Sequence, residues 1–156
     1  MPVVPADIAG LLASRQNGTL ATLRRDGRPQ LSVVTYAWYP HDPDDGGREI
    51  VRISTVDGRA KVANLRRDPR ASFLVSGASG WSYAVVEGTV ELSPVATFHD
   101  DETVEELVRI YRDAAGRAHG EAGEHPDWAD YRRAMVDDHR LVARLVVEHA
   151  YGLVRS

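Results

Sequence analysis

Lys61 is the single lysine in a chain with 18 arginines, and it stands where an apolar segment gives way to a short predicted helix. A lysine ammonium is a compact charge with three donors and suits a phosphate oxygen, whereas arginine presents a planar fork. Arg59 lies two residues earlier, directly after Gly58. Because a helix N-terminus already carries partial positive charge, two cations in this first turn favour an anionic partner.

Two partners could relieve that charge. Asp57 could act as the N-cap of the helix, which would make the pattern purely structural. A bound phosphate could instead accept from the backbone and from both side chains, with Gly58 allowing close approach. The pattern favours the phosphate, although the Gly-x-x-x-x-Gly-Lys spacing of a P-loop is absent.

Aromatic and hydroxyl side chains suggest a ring-binding pocket. Trp81 and Tyr83 are two residues apart in a predicted strand and would share one face. That face could wall a pocket for an aromatic ligand, or it could pack in a core or a dimer contact. Hydroxyl donors also occur at strand positions and could bind a polar ring: Ser32, Thr35, Ser54 and Thr55.

Several other chemistries are disfavoured. The chain has no cysteine, which excludes disulfides, thiolate nucleophiles and cysteine-bound metals. It also lacks the Gly-x-Gly-x-x-Gly and Gly-x-Ser-x-Gly motifs. One cluster of potential metal ligands, in a segment predicted to be a mobile loop, is more typical of a solvated loop, so we predict no metal site: His119, Glu121, Glu124 and His125.

The composition is that of one globular domain spanning residues 1–156, with 43% hydrophobic and 27% charged residues. The net charge of −4 argues against a nucleic-acid-binding protein. No apolar run approaches a membrane span, and the first residues lack the features of a signal peptide. These observations predict a cytoplasmic protein with no membrane partner.

Periodicity predicts a helix, three strands, a short helix, two strands, two helices and a closing strand. Tight turns, including Asp26-Gly27, predict an antiparallel sheet that closes into a small barrel with helices over its openings. We expect a bulge at Gly88 and polar loops at 40–47 and 116–124. The predicted helices span 6–15, 59–67, 100–115 and 126–137, and the strands span 19–23, 30–39, 49–55, 71–76, 81–92 and 141–153.

Five segments together carry a family resemblance: DGRPQ at 26–30, GRAKVANLRRDPRAS at 58–72, GWSYAVVEG at 80–88, EHPDW at 124–128 and YGL at 151–153. With them the chain resembles the flavin and deazaflavin oxidoreductases of the pyridoxamine 5'-phosphate oxidase-like split-barrel superfamily. The actinobacterial branch that uses coenzyme F420 is the closest match, and the segment at 58–72 is the most specific part.

The resemblance implies a mainly β fold, a six-stranded antiparallel split β-barrel of the FMN-binding type, that forms a homodimer with two cofactor sites at its interface. Lys61 and Arg59 would hold the cofactor phosphate. The remaining site residues implied by position are Ser54 and Thr55 beside the phosphate and ring, Ser32 and Val34 along the ring pocket, and Trp81 and Tyr83 from the partner subunit.

The function implied is hydride transfer from reduced F420 to an oxidised organic substrate such as a quinone, a tetrapyrrole or a conjugated enone. Tyr83 is a possible proton donor. FMN is the alternative cofactor, and a flavin-binding protein without turnover is the alternative outside enzymes. The loops at 40–47 and 117–123 look longer than is usual in the family. The chain also lacks the Arg-containing tail with which pyridoxamine phosphate oxidases bind substrate, which argues against vitamin B6 oxidation.

Overall fold

The computed structural model describes residues 2–119 and 123–155. The described residues form four helices and six strands, and a short 3-10 turn, Pro43–Asp45, lies between the second and third strands. The elements are α1 (Ala6–Ser14), β1 (Asn17–Leu23), β2 (Pro29–Asp42), β3 (Arg48–Val56), α2 (Ala60–Arg67), β4 (Arg70–Ser76), β5 (Tyr83–Leu92), α3 (Glu102–His119), α4 (Trp128–Asp137) and β6 (Arg140–Leu153).

The six strands form a closed antiparallel barrel in the order β1-β2-β3-β6-β5-β4, which confirms the predicted fold class. β6 closes the barrel because it pairs with β3 on one edge and β5 on the other. The predicted Asp-Gly turn joins β1 to β2, with Gly27 at a φ of 86°. In the described part of the chain, no helix is long and apolar enough to cross a membrane.

Alternating side chains divide the barrel into an inner and an outer face. The inner face packs around Tyr36 and Phe73, whose rings meet edge to face at 4.9 Å between centroids. Helix α1 adds Leu12 to this core, and the Leu12 carbonyl accepts from the Tyr36 hydroxyl at 2.5 Å. Helix α2 adds Leu65.

Helices α3 and α4 do not lie over the inner core. They pack on the outer face of the barrel against β2, β3 and β6, where Leu107 and Met135 join Ala37 and Val142 in a second apolar cluster. The expectation that all helices cover the openings is therefore wrong for these two. The reason is that α3 is amphipathic and the outer face of these strands is itself apolar, which gives two buried layers.

The predicted bulge at Gly88 is confirmed. The pairing of β5 with β6 shifts register between Glu87 and Gly88, and the backbone of β6 passes very close there. A Cβ atom at position 88 would lie 1.9 Å from the carbonyl oxygen of Val146. Only glycine fits this crossing.

The polar loop predicted at 40–47 is wrong in its first half. Strand β2 continues to Asp42, which is fully buried and pairs with Arg52 of β3. Arg52 also donates from Nε to Glu106 of α3 at 2.7 Å, and Glu106 accepts from Arg144 of β6. Burial of Asp42 is possible because its charge is matched, and this ion cluster fastens α3 to three strands.

Two further boundaries differ from the sequence pattern. Trp81 lies in the turn before β5 rather than in the strand, because Gly77 donates to the Ser82 carbonyl at 2.7 Å and Gly80 adopts a φ of 78°. Trp81 and Tyr83 therefore do not share a strand face. Helix α3 runs four residues beyond its predicted end, and residues 120–122 of the predicted mobile loop lie outside the described residues.

Candidate functional site

A cavity of about 480 Å³ opens on the outer face of the barrel, between the start of α2 and the pair α3 and α4. Strands β2, β3 and β6 form its floor, because their outward side chains alternate along it. Its lining comprises Val33, Val34, Thr35, Ser54, Thr55, Val56, Arg59, Lys61, Ile110, Tyr111, Tyr131, Met135 and Arg140.

The start of α2 is open to this cavity. Arg59 is the N-cap residue in an extended conformation, and no described side chain caps the helix. Asp57 is thus not the N-cap, and its carboxylate accepts from Arg66 at 2.8 Å, which lowers the Asp57 pKa. Gly58 adopts a φ of 87°, a left-handed conformation that turns the chain from β3 into the helix. The helix N-terminus therefore keeps its positive end free of a side-chain acceptor.

The cavity is strongly cationic. Arg59, Lys61 and Arg140 line it, and none of the other described residues that line it is acidic. The pKa of Lys61 lies below its usual value, first because the ammonium is partly buried and then because Arg59 and Arg140 are close. No carboxylate among the described lining residues neutralises these three cations, although the net charge of the whole chain is −4. The arrangement suits an anionic ligand.

Five of the eight residues expected at the site line this cavity: Val34, Ser54, Thr55, Arg59 and Lys61. Alternation along β3 places Ser54 on the outer face, whereas Thr55 and Val34 are buried and border the cavity from within the barrel wall.

Three expected residues lie elsewhere. Ser32 lies on β2, and its Oγ is shielded from solvent without a hydrogen-bond partner among the described residues. Trp81, in the turn before β5, and Tyr83, the first residue of β5, are both exposed, at 74% and 38%. Their expected place is in the site of a partner subunit, which one protomer does not test, so these assignments stay predictions.

Arg140 also lines the cavity, although the sequence did not predict it as a site residue. It follows α4 in the chain and opens β6, and the β3–β6 ladder places it opposite Val56. Its guanidinium donates to Ser54 Oγ at 3.3 Å, and its Nε is shielded from solvent with no hydrogen-bond partner in the described part of the chain. No local motif marks this residue, because the strand pairing alone brings it to the cavity.

The aromatic wall was also missed. Tyr111 of α3 and Tyr131 of α4 meet with ring centroids 5.2 Å apart, and Trp128 packs edge to face on both. The Tyr131 hydroxyl donates to the Leu107 carbonyl at 3.2 Å, and burial raises its pKa to about 12. Tyr131 is therefore a neutral, fixed wall residue at physiological pH.

The histidine-rich segment holds no metal site in the described residues. His125 packs against the Tyr111 and Trp128 rings, and Glu124 accepts from the Trp128 indole at 2.9 Å. The His125 and Glu124 side chains thus contact the aromatic residues Tyr111 and Trp128. The other two members of the predicted loop cluster, the His119 side chain and Glu121, lie outside the described residues.

Comparisons with known proteins agree with this architecture. The family model for pyridoxamine 5'-phosphate oxidase matches residues 4–152. A conserved hypothetical protein from Mycobacterium tuberculosis has 27% sequence identity and a TM-score of 0.68, over 98% of this chain and 86% of that one. An F420 reductase has 23% identity and a TM-score of 0.63, over 95% and 98%.

A putative pyridoxamine 5'-phosphate oxidase from Listeria innocua is similar over 95% of this chain and 96% of that one, with 18% identity and a TM-score of 0.59. At this level of identity, the likeness to the F420 reductase and to the Listeria protein concerns the fold.

Proposed function

The chain belongs to the pyridoxamine 5'-phosphate oxidase family, and we propose that it is a cytoplasmic, F420-dependent oxidoreductase. Its cofactor site is the cationic cavity at the start of α2. The substrate is an oxidised, conjugated organic molecule of the quinone, tetrapyrrole or enone type.

The single observation that carries this proposal is the pairing of Arg59 and Lys61 at an uncapped helix N-terminus, inside a cavity without lining acids. A phosphate group fits these donors, because the backbone, an ammonium and a guanidinium can all point at one anion. The volume of about 480 Å³ lies within the range usual for small-molecule pockets.

The rest of the cavity suits a planar ring. Val33, Ile110 and Met135 give apolar contact, and Ser54 offers a hydroxyl at the same wall. When bound, the deazaflavin would supply the hydride, and the chain would supply binding, orientation and exclusion of water. Tyr131 is unsuited to proton donation, since its hydroxyl is committed to the Leu107 carbonyl. Tyr83 of a partner subunit is the remaining candidate donor.

FMN is the second candidate cofactor, because it shares the ring and the phosphate, and the family takes its name from an oxidase. The resemblance of residues 58–72 to the branch that uses F420 favours the deazaflavin. Titration of the purified protein with F420 and with FMN, followed by tryptophan fluorescence, separates the two.

We expect micromolar or tighter F420 binding, weaker FMN binding, and oxidation of reduced F420 by members of a quinone, tetrapyrrole and enone panel. Tighter FMN binding would move the assignment to an FMN enzyme. Tight F420 binding without turnover across the panel would support a binding protein.

We also propose that the protein is a homodimer. In the first half of β2, ahead of the part that packs against α3, the outer face of the barrel exposes apolar side chains, including Val33 at 76% and Leu31 at 65%. The ladders connect this patch across the sheet, since Thr19 lies opposite both Val33 and Leu74, and Leu74 lies opposite Val85. Because Val33 lines the cavity too, a second copy seated here would close its open side.

Val33→Asp is expected to weaken the dimer, because it would bury a carboxylate in an apolar contact. Light scattering coupled to size-exclusion chromatography should show a monomer at low micromolar concentration for the variant and a dimer for the wild type. Phe98→Asp is the control, since Phe98 is 56% exposed but lies outside the strands, and it should stay dimeric. A dimeric Val33→Asp protein would place the interface elsewhere.

Affinity for the phosphate cofactor is expected to fall at alkaline pH. A bound phosphate favours the charged Lys61, so affinity is full below the Lys61 pKa of the free protein and declines as pH rises through it. Because burial, Arg59 and Arg140 lower that pKa, the decline should begin at a lower pH than for an exposed lysine.

The check is the FMN dissociation constant measured from about pH 7 to 10 for the wild type and for Lys61→Arg, whose guanidinium stays charged. The arginine variant should lack the decline. The same decline in both proteins would assign it to another group.

A further inference from the structure

Arg140 lines the cavity, and one of the donor atoms of its guanidinium has no acceptor among the described residues. Its side chain points to the outer face with Ser54, to which it donates at 3.3 Å. Its Nε is screened from solvent, and none of the described residues offers it an acceptor. A shielded donor without an acceptor is costly, so a native site usually has a partner for it.

The charge of the cavity points to the same group. Three cations line it, and a phosphate group brings one negative charge as a diester or up to two as a monoester, which Arg59 and Lys61 are enough to match. The positive charge of Arg140 is then not balanced, because none of the lining residues that the structure describes is acidic. A second negative group on a ligand would complete the balance.

The surroundings of Arg140 define which anion fits. Residue 140 follows α4 closely, and Tyr131 and Met135 of that helix line the same cavity. A guanidinium fork matches the planar geometry of a carboxylate and can also bind a phosphate, whereas the start of α2 adds the convergent backbone donors of a phosphate site. Arg140 is close to Lys61, but it lies on a strand rather than at the helix start, so it is not part of that set of backbone donors.

We propose that Arg140 binds a carboxylate of the bound molecules, so that the cavity recognises a phosphate at α2 and a carboxylate at the start of β6. The phosphate half rests on the proposed function, whereas the carboxylate half rests on Arg140 itself. Two sources share this chemistry. The carboxylate belongs either to the acidic side chain of F420, which FMN lacks, or to an aromatic substrate.

The test is tryptophan-fluorescence titration of wild type, Arg140→Gln and the control Arg133→Gln. Arg133 lies on α4, its side chain is 64% exposed, and it does not line the cavity. The ligands are F420, FMN, 2-naphthoate and the neutral 2-naphthalenemethanol. We expect Arg140→Gln to weaken a carboxylate ligand about tenfold or more and FMN by less than about threefold, with no change in the control.

A loss confined to F420 assigns the carboxylate to the cofactor, and a loss confined to 2-naphthoate assigns it to the substrate. Equal losses for FMN and F420 would make Arg140 a third phosphate ligand and overturn the proposal. Equal losses for 2-naphthoate and 2-naphthalenemethanol, or no loss for any ligand, would overturn it too.

Failure of the proposed function has a different signature, namely wild-type protein that binds neither F420 nor FMN. The naphthoate pair then decides the role of Arg140 alone. A wild type that also fails to bind 2-naphthoate would contradict a carboxylate site.

Discussion

Arg52→Ala is expected to lower the free energy of unfolding by about 3–5 kcal/mol, the usual cost of removing one partner from a buried ion pair. The variant would leave Asp42 fully buried without its main countercharge, and Glu106 would lose the 2.7 Å bond from the Arg52 Nε. It would also remove the guanidinium that stacks on the Tyr39 ring at 4.6 Å. Urea denaturation measures the difference.

Arg70→Ala is the matched control, because Arg70 also pairs with an aspartate, Asp68, but its side chain is 73% exposed. Exposed pairs contribute about 0–1 kcal/mol, so the control should unfold close to wild type. A loss below about 1 kcal/mol in Arg52→Ala would mean that the ion cluster does not hold α3 to the barrel.

Lys61→Ala is expected to weaken binding of the phosphate cofactor by about 1.5–3 kcal/mol, the scale of a hydrogen bond to a charged group. That corresponds to roughly 10- to 150-fold in dissociation constant. The physical reason is that Lys61 lies in the first turn of α2, where no described side chain caps the helix and its ammonium can donate to a bound phosphate. Tryptophan-fluorescence titration with F420 and FMN measures the change.

Arg66→Ala serves as the control on the same helix. Arg66 lies in the last turn of α2, pairs with Asp57 and does not line the cavity. Its removal should change cofactor affinity by less than about threefold, since a half-exposed cation outside the site is screened. Unchanged cofactor affinity in Lys61→Ala would mean that the phosphate does not bind at the start of α2.

The sequence alone predicted the barrel well, because strand patterns and turns are local signals. Gly27 and Gly88 mark a hairpin and a bulge that the backbone requires, and both lie where expected. Asp42 was predicted to lie in a loop because it is polar, and its true place depends on a long-range contact. Only the pairing of β2 with β3 brings Arg52 beside Asp42 and permits its burial.

The residues of the candidate site likewise divide into those with a local sequence signal and those placed by long-range contacts. Arg59 and Lys61 are two residues apart in sequence, so their helix start could be recognised locally. Arg140 and Tyr131 reach the cavity from distant segments through the β3–β6 ladder and the packing of α4, which no short motif encodes. Trp81 was placed on a strand because its neighbours alternate, yet Gly77 and Gly80 form a turn there.

A crystal structure of the protein with bound F420 would test the proposed cofactor site, because it locates the phosphate relative to α2. We expect phosphate oxygens within about 3 Å of Lys61 Nζ and of backbone N–H groups at the start of α2, with the ring over the floor of β2 and β3. A phosphate bound elsewhere, such as in the second cavity, which is lined by Arg70 of β4 and His149 of β6, would contradict this assignment.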